Sequence, residues 1–428
     1  MRLSVPALLA LAMAATTPAL ADVDAVTYAG TLGKLPIIVE LVASPAQPYG
    51  RYAYLAKGVD IPLHGLDPDG GAGLQLQEEK PCTHKTCMGA DDVPVSADQT
   101  QFAAEWTLDG KVGDARLSGR WRDLESGKSF AVDLALEGHR SIAEQEGDIF
   151  SALNPLYNNT GQSGAPPVVT PASLPYDFLK IALPTKPGKP EPIGEGVVRM
   201  DTDNRVAMDY PTVVSLGGAN PAALNTYLTQ RRLQAELAAF SCLSNAYLGF
   251  GWNGSEGPGT NGYDGNWTVT VDHLTPRLMS LTESGSYYCG GAHPHNFGDH
   301  HLADARTGAA LVPEMLLRGW IATDDNGAEV DRNAPGADDL RFGPSADLVA
   351  YVIAHRQKFD ADTEAGCEID TLIPEYLGVY VQQDSLVFTL NGLPHVNFAC
   401  TDDLLEVPLN DARPLLTKEA IGYFPALD

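Results

Sequence analysis

The chain has 428 residues, with 28 basic against 55 acidic side chains and a formal net charge of −27. Such a field repels nucleic acid and anionic lipid headgroups and attracts cationic proteins, peptides and metal ions, although an acidic surface also keeps a protein soluble without any specific partner. Hydrophobic residues make up 44% alongside 42 Gly and 31 Pro, which is enough apolar material for folded cores cut by many turns, and the length implies two or three structural units.

Residues 1–21 read as a cleavable export leader. Arg2 supplies the positive end, 3–15 is apolar, and Ala19-Leu20-Ala21 is a small-x-small site before Asp22. The apolar run is shorter than the roughly 18 residues of a spanning helix, and no cysteine precedes Cys82, so a lipid anchor is not expected. The expectation is a soluble periplasmic or secreted protein, with no membrane insertion and a charge of −28 once Arg2 leaves with the leader. Six cysteines in an oxidising compartment read as three disulfides. Cys82-Thr-His-Lys-Thr-Cys87 has the spacing of half a zinc site, but that compartment favours a local bridge. Cys242 is paired with Cys289 and Cys367 with Cys400, because each bridge then stays within one structural neighbourhood.

Along 22–140, eight short apolar-alternating runs predict strands: 26–28, 36–41, 51–55, 60–63, 74–77, 102–108, 115–121 and 130–136. Turn residues such as Asp67-Pro-Asp-Gly-Gly71 separate them, which argues for an all-β antiparallel meander or small barrel. Residues 141–172, rich in Pro, Gly and Asn, predict a linker. From 173 to 428 the pattern changes. A strand at 206–215 carries Pro211, the mark of a bulge or an edge position. Asn220 and Pro221 open a helix to about 243. Its residues Leu224, Tyr227, Leu228, Ala235 and Cys242 share one face, while Leu233, Leu237 and Phe240 share the opposite one, so it is expected to lie between layers. Strands follow at 267–271, 278–284 and 286–289, then a helix at 345–358 capped by Ser345, then strands at 377–382, 386–390, 396–400 and 404–409. Strand clusters with isolated helices and no βαβ alternation predict an α+β domain with helices on one side of an antiparallel sheet.

Within 284–317 stand four of the ten histidines. A strand (278–289) runs into the turn Gly290-Gly-Ala-His-Pro294, a return strand (299–302), the Asp304-Ala-Arg-Thr-Gly308 turn and a short helix (313–317). This pattern resembles a family of bacterial extracytoplasmic domains of largely unknown function, whose best understood member is the lysozyme-sensing ectodomain of an anti-sigma factor. Related domains accompany some cell-wall polysaccharide deacetylases. The resemblance runs from about 206 to 416 and closes on Leu405-Glu-Val-Pro-Leu-Asn-Asp-Ala-Arg-Pro-Leu-Leu416. It implies that His293 belongs to a structural turn. The phrases Tyr28-Ala-Gly-Thr-Leu-Gly33 and Leu117-Ser-Gly-Arg-Trp121 resemble a β-domain that often precedes that family in envelope proteins.

Chemistry is less legible. His293, His295, His300 and His301 are numerous enough for zinc, but a His-Pro-His turn lacks the i, i+4 spacing that aims two rings at one ion, so no metal or cofactor is expected. No Gly-x-Ser-x-Gly elbow or Ser-x-x-Lys is present, and the Asp-rich turns at 201–204 and 324–327 do not fit a calcium loop. The aromatic, Gly-rich stretch 247–267 is the best recognition segment, with the alternative that its tryptophans cover a sheet edge. Candidate binding residues are Trp252, Tyr263, Trp267, His293 and His295; no catalytic residue is assigned. The expected function is an exported envelope binding protein for a cationic protein such as lysozyme. A cell-wall hydrolase or deacetylase-like enzyme and a structural envelope module remain as alternatives.

Overall fold

The architecture is that of a computed structural model, which describes residues 22–44, 47–66, 73–88, 100–143, 153–156, 167–250, 260–263, 267–290, 293–324, 327–331, 340–424 and 427. The leader, Trp252 and parts of the 141–172 and 324–327 segments lie outside these residues.

All eight expected N-terminal strands form, each longer at one or both ends than the runs suggested. They are β1 (Asp22–Leu32), β2 (Leu35–Val42), β3 (Tyr49–Tyr54), β4 (Ile61–Gly65), β5 (Leu74–Glu79), β6 (Phe102–Asp109), β7 (Arg116–Asp123) and β8 (Ser129–Ala143). Each pairs antiparallel with the next, and β1 pairs with β8, closing a barrel. Closure leaves no free sheet edge. Alternation points Tyr28, Tyr52, Leu63, Leu76, Trp106 and Leu134 inward as one cluster, and burial of each large apolar side chain contributes about 1.5–3 kcal/mol. One carboxylate, Glu78, shares this interior and accepts from the Nε1 of Trp106 (3.3 Å) and of Trp121 (2.7 Å). Burial raises its carboxyl above the ordinary value. Between β5 and β6, helix α1 (His84–Cys87) lies inside the Cys82–Cys87 disulfide. These two sulfurs are therefore a bridge rather than half of a zinc site.

After the barrel come further antiparallel sheets and several helices. Helix α2 (Pro175–Ile181) lies against the barrel wall. A first sheet contains β9 (Lys186–Pro187), β10 (Glu191–Ile193), β11 (Gly196–Asp203) and β12 (Met208–Leu216). In it β12 is an edge strand and carries Pro211, as its proline suggested. Helix α3 (Ala222–Ser244) begins just after Asn220, whose Oδ1 accepts the Ala222 N–H (3.0 Å). Its two apolar faces serve two clusters. Leu224, Leu228 and Ala235 join the sheet residues Tyr210, Met279 and Leu281, whereas Leu233, Leu237 and Phe240 join Val169, Leu174 and Ile181.

A second sheet is formed by β13 (Gly262–Tyr263), β14 (Thr268–Leu274), β15 (Leu278–Tyr288), β16 (His295–Asp304) and β17 (Ala310–Leu311), with β15 at its centre. The expected strands at 278–284 and 286–289 are one continuous strand here. A small sheet, β18 (Trp320–Thr323), β19 (Glu329–Val330) and β20 (Arg341–Pro344), follows helix α4 (Pro313–Leu316). Helix α5 (Ala346–His355) is capped by the Ser345 hydroxyl, as expected, and α6 (Ala361–Cys367) and α7 (Ile369–Tyr376) lead to the last sheet. That sheet is β21 (Leu377–Gln382), β22 (Ser385–Leu390) and β23 (Asp403–Pro408). The expected strand at 396–400 is instead a 3-10 helix, His395–Cys400. In the sheet, β22 is flanked by β21 and β23, and the 395–400 segment lies outside it. Pro394 precedes it, and Cys400 is tied to Cys367 of α6. Cys242 is bonded to Cys289, so all three pairings are those expected from the sequence. Among the described residues no helix is long and apolar enough to cross a membrane.

Candidate functional site

The β15–β16 hairpin divides two sets of chemically active side chains, because alternation sends neighbours in each strand to opposite faces. Register partners Tyr287 and His295, Gly285 and Phe297, and Glu283 and Asp299 share one face. Ser284 and Gly298, and Thr282 and His300, share the other.

On the first face four aromatic rings and three imidazoles form a strip. Tyr263 lies 4.7 Å from Trp267 and 4.9 Å from Tyr287 between ring centres, and Trp267 lies 5.0 Å from Phe297. Tyr287 stacks on His295 at 5.5 Å. His293 then sits 5.2 Å from His295 and 3.9 Å from His395, which arrives from the 3-10 helix. Gly285 makes this closure possible, since a Cβ there would stand 3.1 Å from both Phe297 Cε1 and Trp267 Cα. Gly290, at φ 93°, lets the strand leave β15 toward the histidine turn through a conformation that side chains resist. His293 and His295 are exposed, while Tyr263, Trp267, Tyr287 and Phe297 are half-buried. Desolvation, together with the two neighbouring imidazoles, pushes His395 below its ordinary value.

The structure thus brings together four of the five residues singled out in the sequence. It adds Tyr287, Phe297 and His395, which sequence reading missed. The signal for Tyr287 and Phe297 was the period-2 pattern of β15 and β16; nothing local in the sequence signals His395, a hundred residues further on.

Deeper on the same face, Glu283 Oε1 accepts from the Tyr210 hydroxyl (2.5 Å) and from Arg231 Nη2 (2.8 Å). Arg231 Nη2 also meets His301 Nε2 at 2.6 Å. A guanidinium can only donate, so His301 accepts there and is neutral. Burial is the largest cause of its pKa of about 4, and Arg231 adds to it against the pull of Glu283. The aromatic strip is anchored by this buried ion pair.

On the other face is a cavity of about 600 Å³ lined by Thr282, His300, Tyr380, Phe297, Phe398, Thr401, Asp402 and Asp403, among others. His300 stacks on Tyr380 with ring centres 3.9 Å apart, and the Tyr380 hydroxyl donates to Asp403 Oδ2 (2.9 Å). Thr282 Oγ1 donates to Asp272 Oδ2 (2.6 Å) and lies 2.8 Å from His300 Nδ1. Burial raises the carboxyls of Asp272, to about 6, and of Asp403, and pushes His300 down to about 4. Sequence reading saw His300 but assigned it no role, and it passed over Thr282, Tyr380 and Asp403 because they lie on three further strands far apart in the chain.

Among the described residues no group of three or more His, Cys, Asp or Glu is arranged to hold a metal ion. No family model matches the chain, and no curated protein matches it.

Proposed function

We propose that the protein is an exported envelope binding protein, periplasmic or secreted, whose partner is a cationic protein or peptide. The observation that carries this reading is the strip of Tyr263, Trp267, Tyr287, Phe297, His293 and His295 on an acidic chain. Half-buried aromatic rings give a partner large contact area and attract the cations of Lys and Arg through their faces. The charge of −27 steers such a partner inward, but steering raises the on-rate without a lasting complex, so the strip supplies the buried contact. Lysozyme is the probe to which the resemblance of the 278–317 pattern leads. In the same reading the barrel and the residues from 173 onward are two units joined through 141–172, the second an α+β unit with helices on one side of its sheet.

Titration calorimetry of the mature chain with lysozyme should show saturable binding that weakens as ionic strength rises to about 0.15 M, where screening acts over about 8 Å. Trp267→Ala and Tyr287→Ala should each weaken it at least tenfold, about 1.4 kcal/mol. No heat at low salt, or equal binding by an unrelated basic protein of similar charge, would sink the reading.

A further inference from the structure

We propose that the cavity beneath His300 is a second site, for a small organic cation bearing N–H donors: an alkylammonium or alkylguanidinium group held between the aromatic walls and a set of acceptors.

The proton inventory gives the first argument. A threonine hydroxyl carries one proton. Thr282 donates it to Asp272, so at its other contact it accepts, and the Nδ1 of His300 carries the hydrogen. His300 is neutral, which leaves Nε2 as a lone-pair acceptor. The second argument is the lining. Asp402 and Asp403 add carboxylates, and among the described residues no Lys or Arg contributes to the wall, so the lining favours a cation over an anion. Phe398 and Tyr380 supply aromatic lining of the kind that attracts cations. The site does not depend on the aromatic strip, apart from Phe297, which borders both.

Acid reverses the chain of hydrogen bonds. When Asp272 takes up a proton it donates to Thr282, Thr282 donates to Nδ1, and Nε2 becomes an N–H that opposes a cation. The titratable groups around this relay are His300 and His301 on β16, Tyr380 on β21, Asp402 just before β23, and Asp403 and Glu406 on β23. Burial raises the Asp403 carboxyl, so it too loses charge on acidification. Binding therefore falls as pH drops through about 6, the value for Asp272.

The test uses the mature protein and two isosteric probes, n-butylguanidinium and n-butylurea, titrated by NMR at a pH above and a pH below that value. Butylguanidinium should bind at least tenfold more tightly than butylurea at the higher pH, and the preference should shrink at least fivefold at the lower one. Thr282→Val should remove most of that pH dependence, and Asp403→Asn should weaken butylguanidinium at least tenfold. Should Asp403→Asn fail to fold, Asp402→Asn, at an exposed position, reads out the same charge. Equal binding of both probes, no saturable binding of either, or unchanged affinity in the Asp402 and Asp403 variants would overturn the proposal. A lysozyme arm separates the two sources of such a cation. Displacement of lysozyme by butylguanidinium assigns the cavity to a Lys or Arg side chain of the partner. Its absence, with butylguanidinium still bound, assigns the cavity to a free small molecule. If lysozyme does not bind at all, the strip reading fails while the two-probe result stands alone.

Discussion

Arg51 shows what one residue can organise. Its Nε donates to Glu40 (2.8 Å), its Nη1 to Asp60 (3.0 Å) and its Nη2 to Asp177 (2.9 Å), and its guanidinium lies 4.2 Å above the Tyr176 ring. Lys180 donates to Asp60 and Arg140 to Glu40, so three buried carboxylates face three cations. Burial opposes the charge on Asp177, but Arg51, Lys180 and Arg140 outweigh it and hold its carboxyl below the ordinary value. A depressed acid stabilises the fold above its unfolded value of 3.8 and loses that contribution as pH falls toward its folded one. Arg51→Met should cost about 3–5 kcal/mol at neutral pH, read as a shift in the denaturant midpoint, because it strands carboxylates in a dry site. Arg51→Lys should recover only part, since an ammonium cannot reach three acceptors through a planar fork. A midpoint for Arg51→Met within about 1 kcal/mol of wild type would show that the cluster is neutralised by proton uptake instead.

At the scale of elements, α3 and β15 carry the candidate sites and are tied to each other. Cys242 near the end of α3 bonds Cys289 just after β15, across 47 residues. Asn245 Nδ2 adds a bond to the Cys289 carbonyl (3.0 Å). A loop of that length gives about 4 kcal/mol in the chain-entropy account. The double substitution Cys242→Ser, Cys289→Ser should lower stability by a comparable amount. It should also loosen the segment from His293 that carries the histidines of the strip and hence weaken lysozyme binding more than removal of Cys82–Cys87 does. Equal effects from the two bridges would mean that the segment is held by β16 pairing alone. The two-faced pattern of α3 was readable in the sequence because it follows from spacing along one segment, whereas the spacing of six cysteines implied three bridges without fixing their pairing. The 396–400 segment was misread because its apolar residues suit a strand; in the fold it follows Pro394 as a 3-10 helix and is tied through Cys400 to Cys367 of α6.

For the whole molecule, the question is how firmly the barrel holds to the rest. The Arg51 cluster joins β2, β3 and β8 to α2. Asp60 N–H donates to Ser244 Oγ (2.9 Å), and Asn154 Nδ2 donates to Ser241 Oγ (2.6 Å), both on α3. Leu153 is buried with barrel residues Ala25 and Val42 and with Tyr247 and Phe250. Composition places the first proteolytic cut within 141–172, and these contacts predict that the two fragments stay together afterwards. Size-exclusion chromatography of the nicked protein should give one peak at neutral pH, separating into two in the Arg51→Met variant. Two peaks from nicked wild type would mean that the buried charges do not hold the halves together.

The sequence by itself determined what depends on near neighbours: eight alternating runs, a helix apolar on two sides, the cap at Ser345, and the local Cys82–Cys87 bridge. Strand periodicity, helix starts and cross-links within one neighbourhood are all written over a few residues or a single loop. Tertiary structure decided that the eight strands close into a barrel rather than an open meander, because closure depends on β1 meeting β8 more than a hundred residues away. It alone brought His395 against His293, and Thr282, His300, Tyr380 and Asp403 around one cavity. Such sites are assembled by which face of which strand meets another sheet, and that depends on burial summed over the whole chain rather than on any local pattern.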